Sequence, residues 1–273
     1  MESECSYKKK SNDDKSYFRS YSDIGIHEEM IGDRVRTSTY RLAILKNYDH
    51  IRGKVVLDVG AGTEQAKLVC KENGVSDRIM VITGKVEGGL MLPGSASLFM
   101  APITDCDVLE RLLFWDDMTE VYDVSMSCIK AYASRCISSH VSVQQVEPQS
   151  IMAHAAEVCT FDLQKMSRKL ENVKGSFCFD CFGDVEIHGF ATWFEVKFNH
   201  EIILSTSPYK LPTHWLQCVL YTEKAHNVKQ GTLITGCLQL NPSSHYHRFL
   251  DIALQYTIDE AKYLQKYTMD DFI

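Results

Sequence analysis

The stretch VLDVGAGTEQAK at residues 56–67 decides how the first half of this chain is interpreted. It begins like a buried parallel strand and runs into a Gly-Ala-Gly turn of the kind that lets a backbone approach a nucleotide. A helix should then open on a small residue, but Thr63 is followed at once by a Glu and a Gln. A dinucleotide site also needs a third glycine, which is missing here. The turn therefore favours S-adenosylmethionine or no cofactor, and a nicotinamide enzyme is the weaker alternative.

The composition is ordinary for a globular protein. The 273 residues are 45% hydrophobic and 24% charged, which is enough for one large domain or two modest ones. The net charge of -7 argues against direct nucleic-acid binding and favours basic partners such as Arg-rich or Lys-rich tails. We predict no membrane segment, because no apolar run reaches the roughly 18 residues that a spanning helix needs.

The ten cysteines point to a reducing compartment. They form no small secreted framework, and the N-terminus does not resemble a signal peptide. Cys178 and Cys181 have the spacing of half a zinc site, but no second pair stands at ligand spacing. The alternating aromatics of FCFDCF at residues 177–182 are typical of a strand, so we predict no metal site.

The N-terminal third reads as helices followed by a small α/β segment. Residues 1–15 lack periodicity and are expected to be a disordered tail. Three- and four-residue spacing predicts two helices over residues 16–47, and a helix over residues 65–73 should stop at Gly74. Strands are predicted at residues 55–59 and 78–83.

Beyond residue 94 the pattern predicts an antiparallel sandwich or barrel. Short strands separated by Gly, Pro and Asn turns are expected at residues 96–102, 141–146, 176–182, 189–198, 202–206, 217–221, 232–240 and 249–258. Residues 108–136 interrupt them with an apolar, helical arm. The arm either contacts a partner subunit or folds onto its own barrel. The predicted fold class is thus α/β plus β, with N-terminal helices and a small α/β domain at residues 16–93 and a β domain at 94–273.

Several motifs together resemble one family. They are YFRSY (17–21), HEEMIGDRVRT (27–37), the glycine turn, MSCI (126–129), HGFATWF (188–194), LSTSP (204–208) and THW (213–215). In this collinear order they resemble the type I protein arginine N-methyltransferases. The resemblance implies a Rossmann-like S-adenosylmethionine domain followed by a β-barrel with a helical dimerisation arm. It also implies methyl transfer to arginine-rich substrates such as histone tails, a homodimer, and a nuclear location with the cytoplasm as an alternative.

The resemblance also implies roles for individual residues. In this family the N-terminal helices close over S-adenosylmethionine, and the matching residues are Tyr17, Tyr21, His27, Met30 and Arg36. Arg36 would pair with the methionine carboxylate, a task that suits its planar fork. Gly60 would give close backbone access, and Glu87 would contact the adenine. On the barrel side His214 would pair with Asp33, and Trp215 would help to wall the substrate pocket.

Two internal segments of the family pattern are missing from this sequence. The chain passes from Thr63 directly into what resembles the second helix, so a strand ending in the ribose-binding acid is lost. After Glu87 the fourth strand is missing, together with a loop that has a Trp-Met-Gly-Tyr core and a glutamate on either side. We therefore expect little turnover from this chain, or a non-catalytic role as a partner of intact methyltransferases. A shortened transcript, a faulty gene model and an inactive paralogue all fit the two in-frame gaps.

Overall fold

The structure, a computed structural model, describes residues 23–58, 64–80, 91–165, 172–199, 201–243 and 249–269. Within these residues the helices are α1 (Ile24–Gly32), α2 (Arg34–Lys46), α3 (Tyr48–Ile51), α4 (Glu64–Glu72), α5 (Cys106–Tyr122) and α6 (Lys130–Ser139), and two 3-10 turns cover Ser127–Ile129 and Pro148–Ser150. The strands are β1 (Ser95–Ile103), β2 (Ser142–Gln144), β3 (Ala156–Asp162), β4 (Val173–Asp180), β5 (Val185–Lys197), β6 (Ile203–Ser205), β7 (Gln217–Val228), β8 (Leu233–Pro242), β9 (Leu250–Ile258) and β10 (Ala261–Thr268).

The two N-terminal helices are confirmed, and one aspartate divides them. Asp33 ends α1, and its side chain then caps α2 by accepting a hydrogen bond from the backbone N–H of Arg36 at 2.9 Å. Its extended backbone is typical of an N-cap, where a carboxylate satisfies a free N–H at the helix start. The break between the helices is therefore encoded by a single capping residue.

The strand predicted at residues 55–59 is wrong over its described part. Residues 55–58 are irregular, and the side chain of Val55 is 100% exposed. The strand predicted at 78–83 also fails where it is described, because residues 78–80 form a turn and an irregular segment. A parallel strand is stable only between neighbouring strands and under covering helices, and the described residues provide no strand to pair with either segment. Helix α4 and its stop are confirmed, since Gly74 has φ of +63°.

The β domain consists of two antiparallel sheets. In the described residues one sheet has the order β2-β7-β5-β1-β3, with β6 also paired to β5, and the other has the order β10-β9-β8-β4. Their inner faces enclose an aromatic core that includes Phe177, Phe179, Phe190 and Tyr256. The sheets meet where β3 approaches β4, at a glycine: a Cβ on Gly175 would lie 1.9 Å from the carbonyl oxygen of Val158. The result is a barrel-like sandwich whose hydrogen-bonded ladder does not close over the described strands.

The predicted helical arm is also confirmed, as α5, the turn Ser127–Ile129 and α6. The base of α5 packs on the outer face of the first sheet, where Val108 joins a second core with Ile103 and Trp193. Lys130 Nζ donates to Asp116 Oδ2 at 2.5 Å and joins the two arm helices. The arm thus rests on its own β domain at its base. Farther along α5, Leu113, Phe114, Val121 and Tyr122 stay exposed, whereas Met118 is buried.

Eight strands match the predicted ones, whereas β3 and β10 were missed. Both missed strands lie at the edge of a sheet, where the outward positions carry charged residues and the hydrophobic alternation is weak. None of the helices in the described ranges is long and apolar enough to cross a membrane.

Candidate functional site

The site is built around a pair of residues that joins the N-terminal helices to the β domain. Asp33 Oδ2 accepts a hydrogen bond from the ring Nδ1 of His214 at 2.7 Å and another from the backbone N–H of His214 at 3.0 Å. The Asp33 side chain is only 3% exposed. The sequence prediction that these two residues pair is therefore seen in the geometry, while their catalytic role stays a prediction.

The ionisation of Asp33 follows from these contacts. Burial alone raises the pKa of a carboxyl group, but the N–H groups of Arg36 and His214 and the His214 ring outweigh burial and leave the pKa of Asp33 below its usual value. The carboxylate is therefore charged at neutral pH. A charged acceptor with three donors holds α2 and the loop after Pro212 in a fixed relation.

Arg36 lies beside the pair in an aromatic corner. Its Nη1 donates to the carbonyl oxygen of Met30 at 3.0 Å. The guanidinium lies 5.6 Å from the ring centroid of Tyr40 and 5.8 Å from that of Trp215, within the range of cation–π attraction. The predicted partner of Arg36, a carboxylate of the cofactor, would have to compete with these contacts or share them.

Trp215 packs against the rings of two neighbouring residues. Its ring lies 4.3 Å from the ring of His214 and 5.4 Å from that of Phe194, the latter edge to face. Gln217 joins the two ends of the loop, because its Nε2 donates to the carbonyl oxygen of Thr206 at 2.8 Å, and its Oε1 accepts from Val146 N–H at 2.7 Å. The loop that carries His214 and Trp215 is thus closed at its base.

A small core attaches α2 to the β domain and so positions Asp33 and Arg36. It contains Ala43 and Leu204, and Tyr40 packs edge to face on Phe198 with centroids 4.9 Å apart. Sequence reasoning missed Asn47, which is fully buried at the end of α2. Its Oδ1 accepts from Asn199 Nδ2 at 3.2 Å, and its own Nδ2 donates to Ala43 at 2.8 Å. A single polar residue after an apolar helical run was the only signal available for it.

The other predicted residues fall in two groups. His27 and Met30 both lie on α1, the helix that ends at Asp33, and both are half-buried. Tyr17, Tyr21, Gly60 and Glu87 lie outside the described residues.

An open groove of about 540 Å³ runs past Asp33 and His214. It is lined by Glu29, Gly32, Asp33, Arg34, Val35, Leu211, Pro212 and His214. The acidic side chain of Glu29 and the apolar side chains of Val35 and Leu211 therefore line the same groove as His214.

Solved structures with the same fold define the class of this protein. The chain superimposes with a TM-score of 0.81 on a chain from the Trypanosoma brucei PRMT1 enzyme–prozyme heterotetrameric complex with AdoHcy, at 25% identity, covering 92% of this chain and 100% of that one. A crystal structure of PRMT6 shares the fold with a TM-score of 0.65 at 20% identity, covering 86% of this chain and 100% of that one. The predicted fold class, a truncated Rossmann-like part followed by an antiparallel β domain with a helical arm, is confirmed.

Sequence comparisons give the family. A family model of the arginine methyltransferase oligomerization subdomain matches residues 94–261. Protein arginine N-methyltransferase 6 of Danio rerio is 37% identical over 93% of this chain and 92% of its own length, and the same enzyme of Xenopus tropicalis is 35% identical over 90% and 92%. The chain belongs to the protein arginine methyltransferase family.

The alignment with the Danio rerio relative also bears on the missing segments. It extends over 321 residues, although it takes in only 93% of this 273-residue chain. It therefore contains stretches of the relative that have no counterpart here. The predicted loss of internal segments agrees with this difference, and the positions after Thr63 and Glu87 stay predictions.

Proposed function

We propose that this chain is an arginine methyltransferase subunit that keeps the substrate-side β domain but transfers little or no methyl group by itself. The reaction of its class is transfer of methyl from S-adenosylmethionine to an arginine nitrogen, with arginine-rich protein segments such as histone tails as substrates. The observation that carries the proposal is the exposed, unpaired segment at residues 55–58, at the place where the cofactor strand was predicted.

The chemistry explains why the missing loop matters. A guanidinium stays protonated at physiological pH and is a poor nucleophile. Two carboxylates must hold it, polarise it and align one nitrogen with the sulfonium methyl group. The family loop that supplies them has no counterpart in this sequence. The buried carboxylate of Asp33 does not replace it, because it is already engaged by Arg36 and His214.

The described residues fit S-adenosylmethionine only in part. Arg36 supplies a cation for the methionine carboxylate, and its guanidinium is held near Trp215. The strand beneath the glycine turn does not form over residues 55–58, and the sequence has no acid at the position expected for the ribose hydroxyls. We therefore derive no methyl-transfer step for this chain and expect weak cofactor binding.

A radiolabelled methyl-transfer assay on an arginine-rich histone-tail peptide tests the proposal. The full chain should give product at background level, and the Danio rerio relative in parallel should methylate the peptide. Insertion of the two corresponding segments of that relative after Thr63 and after Glu87 should raise the product above background. Robust product from the unmodified chain would refute the proposed impairment.

A second candidate is a non-catalytic partner of intact methyltransferases. It is favoured by the match to a chain from an enzyme–prozyme heterotetrameric complex, and by the β domain and arm, whose described residues form two sheets and two packed helices. Titration of this chain into a fixed amount of the Danio rerio relative should change the relative's activity, and light scattering should detect a mixed oligomer. No mixed species at high concentration, or an unchanged activity, would eliminate this role. Light scattering of the chain alone tests the proposed homodimer.

Nuclear localisation completes the proposal, with the cytoplasm as the alternative. It is supported by the proposed histone-type substrates alone. A fluorescently tagged full chain imaged in cells should concentrate in the nucleus, and its exclusion from the nucleus would contradict this part of the proposal without affecting the others.

A further inference from the structure

The segment at residues 54–58, Lys-Val-Val-Leu-Asp, follows α3 and is uncovered. The side chains of residues 55–57 are 100%, 66% and 45% exposed in chain order. Within the part of the chain that the structure describes, no backbone hydrogen bond involves residues 55–58. β-branched side chains favour an extended backbone, and free N–H and C=O groups on such a backbone are a template for another strand. The exposed segment, residues 54–58, therefore offers both its backbone and its apolar side chains for pairing.

The two ends of the exposed segment carry opposite charges. Lys54 begins it, Asp58 ends it, and the three residues between them are apolar. Both side chains are exposed, and neither forms an ion pair among the described residues. A second copy of the segment that runs in the opposite direction presents the complementary charge at each end. The sequence of the segment is thus complementary to itself in the antiparallel direction, as a two-fold interface requires.

We propose that the exposed segment pairs with the same segment of a second copy of this chain, as an antiparallel two-stranded ribbon centred on Val56. In this register Lys54 lies opposite Asp58 of the partner subunit, and Val55 lies opposite Leu57 of the partner subunit. Directly opposite residues share a face and alternate residues lie on opposite faces. Four apolar side chains therefore meet on one face, and two Lys–Asp pairs flank the two central valines on the other.

The charges also select the direction of pairing. A parallel pair in register would set Lys54 beside Lys54 of the partner subunit and Asp58 beside Asp58 of the partner subunit. Like charges opposite each other destabilise a strand pair, whereas opposite charges stabilise it. The antiparallel arrangement therefore satisfies both ends of the segment at once.

This interface is separate from the one expected at the arm. It lies outside residues 94–261, the range that matches the oligomerization subdomain. Five paired residues bury little area, so the pairing is weak and reversible. Where the arm joins two copies, the exposed segment links such dimers into larger species. The inference goes beyond the proposed function, because the pairing needs neither the cofactor nor methyl transfer.

A charge-reversal cycle on the full chain tests the pairing. Sedimentation velocity should show that the parent chain forms larger species as its concentration rises. Lys54→Asp and Asp58→Lys each set like charges opposite each other at both ends, so each should weaken this association about fivefold or more. The double variant restores the opposite charges and should associate like the parent. A mixture of the two single variants should also associate, because one is acidic at both ends of the segment and the other is basic.

The matched control is Lys229→Asp, which makes the same change of net charge on an exposed turn and should leave the association unchanged. Circular dichroism confirms that each variant is folded. A smaller species that persists in Lys54→Asp and Asp58→Lys is the separate arm interface, so the two contacts are distinguished in one experiment.

Val56→Cys locates the contact. Val56 is its own partner at the centre of the ribbon, so mild oxidation with diamide should link the introduced thiol to the same thiol of the partner subunit. Mass spectrometry of the digested product identifies this link among those of the native cysteines. In the antiparallel register Val55→Cys should link to Leu57→Cys in a mixture more readily than to itself.

Four results would overturn the proposal. They are a parent chain that forms no larger species, unchanged association in both single variants, a double variant as weak as the single ones, and an introduced thiol at position 56 that links only to native cysteines.

Discussion

Asp33 and His214 stand 181 residues apart in the chain, yet one carboxylate oxygen of Asp33 accepts both the ring N–H and the backbone N–H of His214. The contact joins the cap of α2 to the loop that carries Trp215. Because Asp33 serves the helix and the loop at once, its negative charge contributes, beside the small apolar core, to the attachment of the N-terminal helices to the β domain.

We expect Asp33→Asn to loosen this junction. An asparagine can still cap α2 through its Oδ1, but it loses the charge and turns an amide toward the N–H groups of His214. The variant should lose about 1–2 kcal/mol of unfolding free energy, and hydrogen exchange should quicken in α1 and α2. Asp23→Asn is the matched control, because Asp23 caps only the exposed start of α1. Equal effects of the two variants would show that the link to His214 contributes nothing.

The same carboxylate makes the junction sensitive to acid. Because the pKa of Asp33 is lowered in the folded state, its contribution to stability is present above the unfolded value of about 4. It is lost as the pH falls through the lower, folded pKa. Urea unfolding between pH 6 and pH 3 should therefore show a steeper loss for the parent chain than for Asp33→Asn.

His188 gives a second pH dependence at the base of the arm. Its Nδ1 accepts from the backbone N–H of Asp105, at the cap of α5, at 3.0 Å. Its Nε2 is buried without a hydrogen-bond partner, and Glu186 lies 3.8 Å away. Burial lowers the pKa of His188, against the opposing charges of Glu186 and Asp105. The neutral ring is thus favoured in the folded protein.

Because of His188, we expect the free energy of unfolding to fall on acidification. The unfolded chain takes up the proton near pH 6.5 while the folded chain still resists it, so stability falls below that pH and levels off below the folded pKa. His188→Asn keeps an acceptor near Asp105 and removes the titrating group. Urea unfolding at pH 7.5 and 5.5 should show a smaller difference for this variant than for the parent. His226, whose pKa burial also lowers, accounts for part of the remaining difference.

Gln265 provides a test of how the arm is held on the β domain. Its Nε2 donates to the carbonyl oxygen of Ser138 at the end of α6 and to that of Tyr221 in β7, at 2.8 and 2.9 Å. Gln265→Leu leaves both carbonyls without this donor and should cost about 1–3 kcal/mol, with faster hydrogen exchange in α6. Gln230→Leu, on an exposed turn, should change neither. A variant with unchanged exchange in α6 would refute the role of Gln265 as a connector.

The correct and the wrong strand predictions are explained by how much structural information each segment carries in its own sequence. Strands such as β4 were predicted because FCFD alternates between core and solvent, which is information that the segment itself carries. Edge strands such as β10 show a weaker alternation between core and solvent positions. The pairing of Asp33 with His214 follows from motif resemblance alone, because no local rule joins residues so far apart. The strand prediction failed at residues 55–58 for a different reason. Their pattern is that of a buried strand, but burial depends on neighbours elsewhere in the chain.

That correction is testable at Val56. If the segment were a buried strand, Val56→Lys would place an unpaired charge in a core and cost several kcal/mol. In the structure Val56 is exposed and unpaired, so Val56→Lys should change the unfolding free energy by less than about 0.5 kcal/mol and lower the binding of a hydrophobic dye. Val219→Lys, at a fully buried position of β7, is the matched control and should prevent folding. A strong destabilisation by Val56→Lys would restore the strand and remove the structural observation on which the proposed impairment rests.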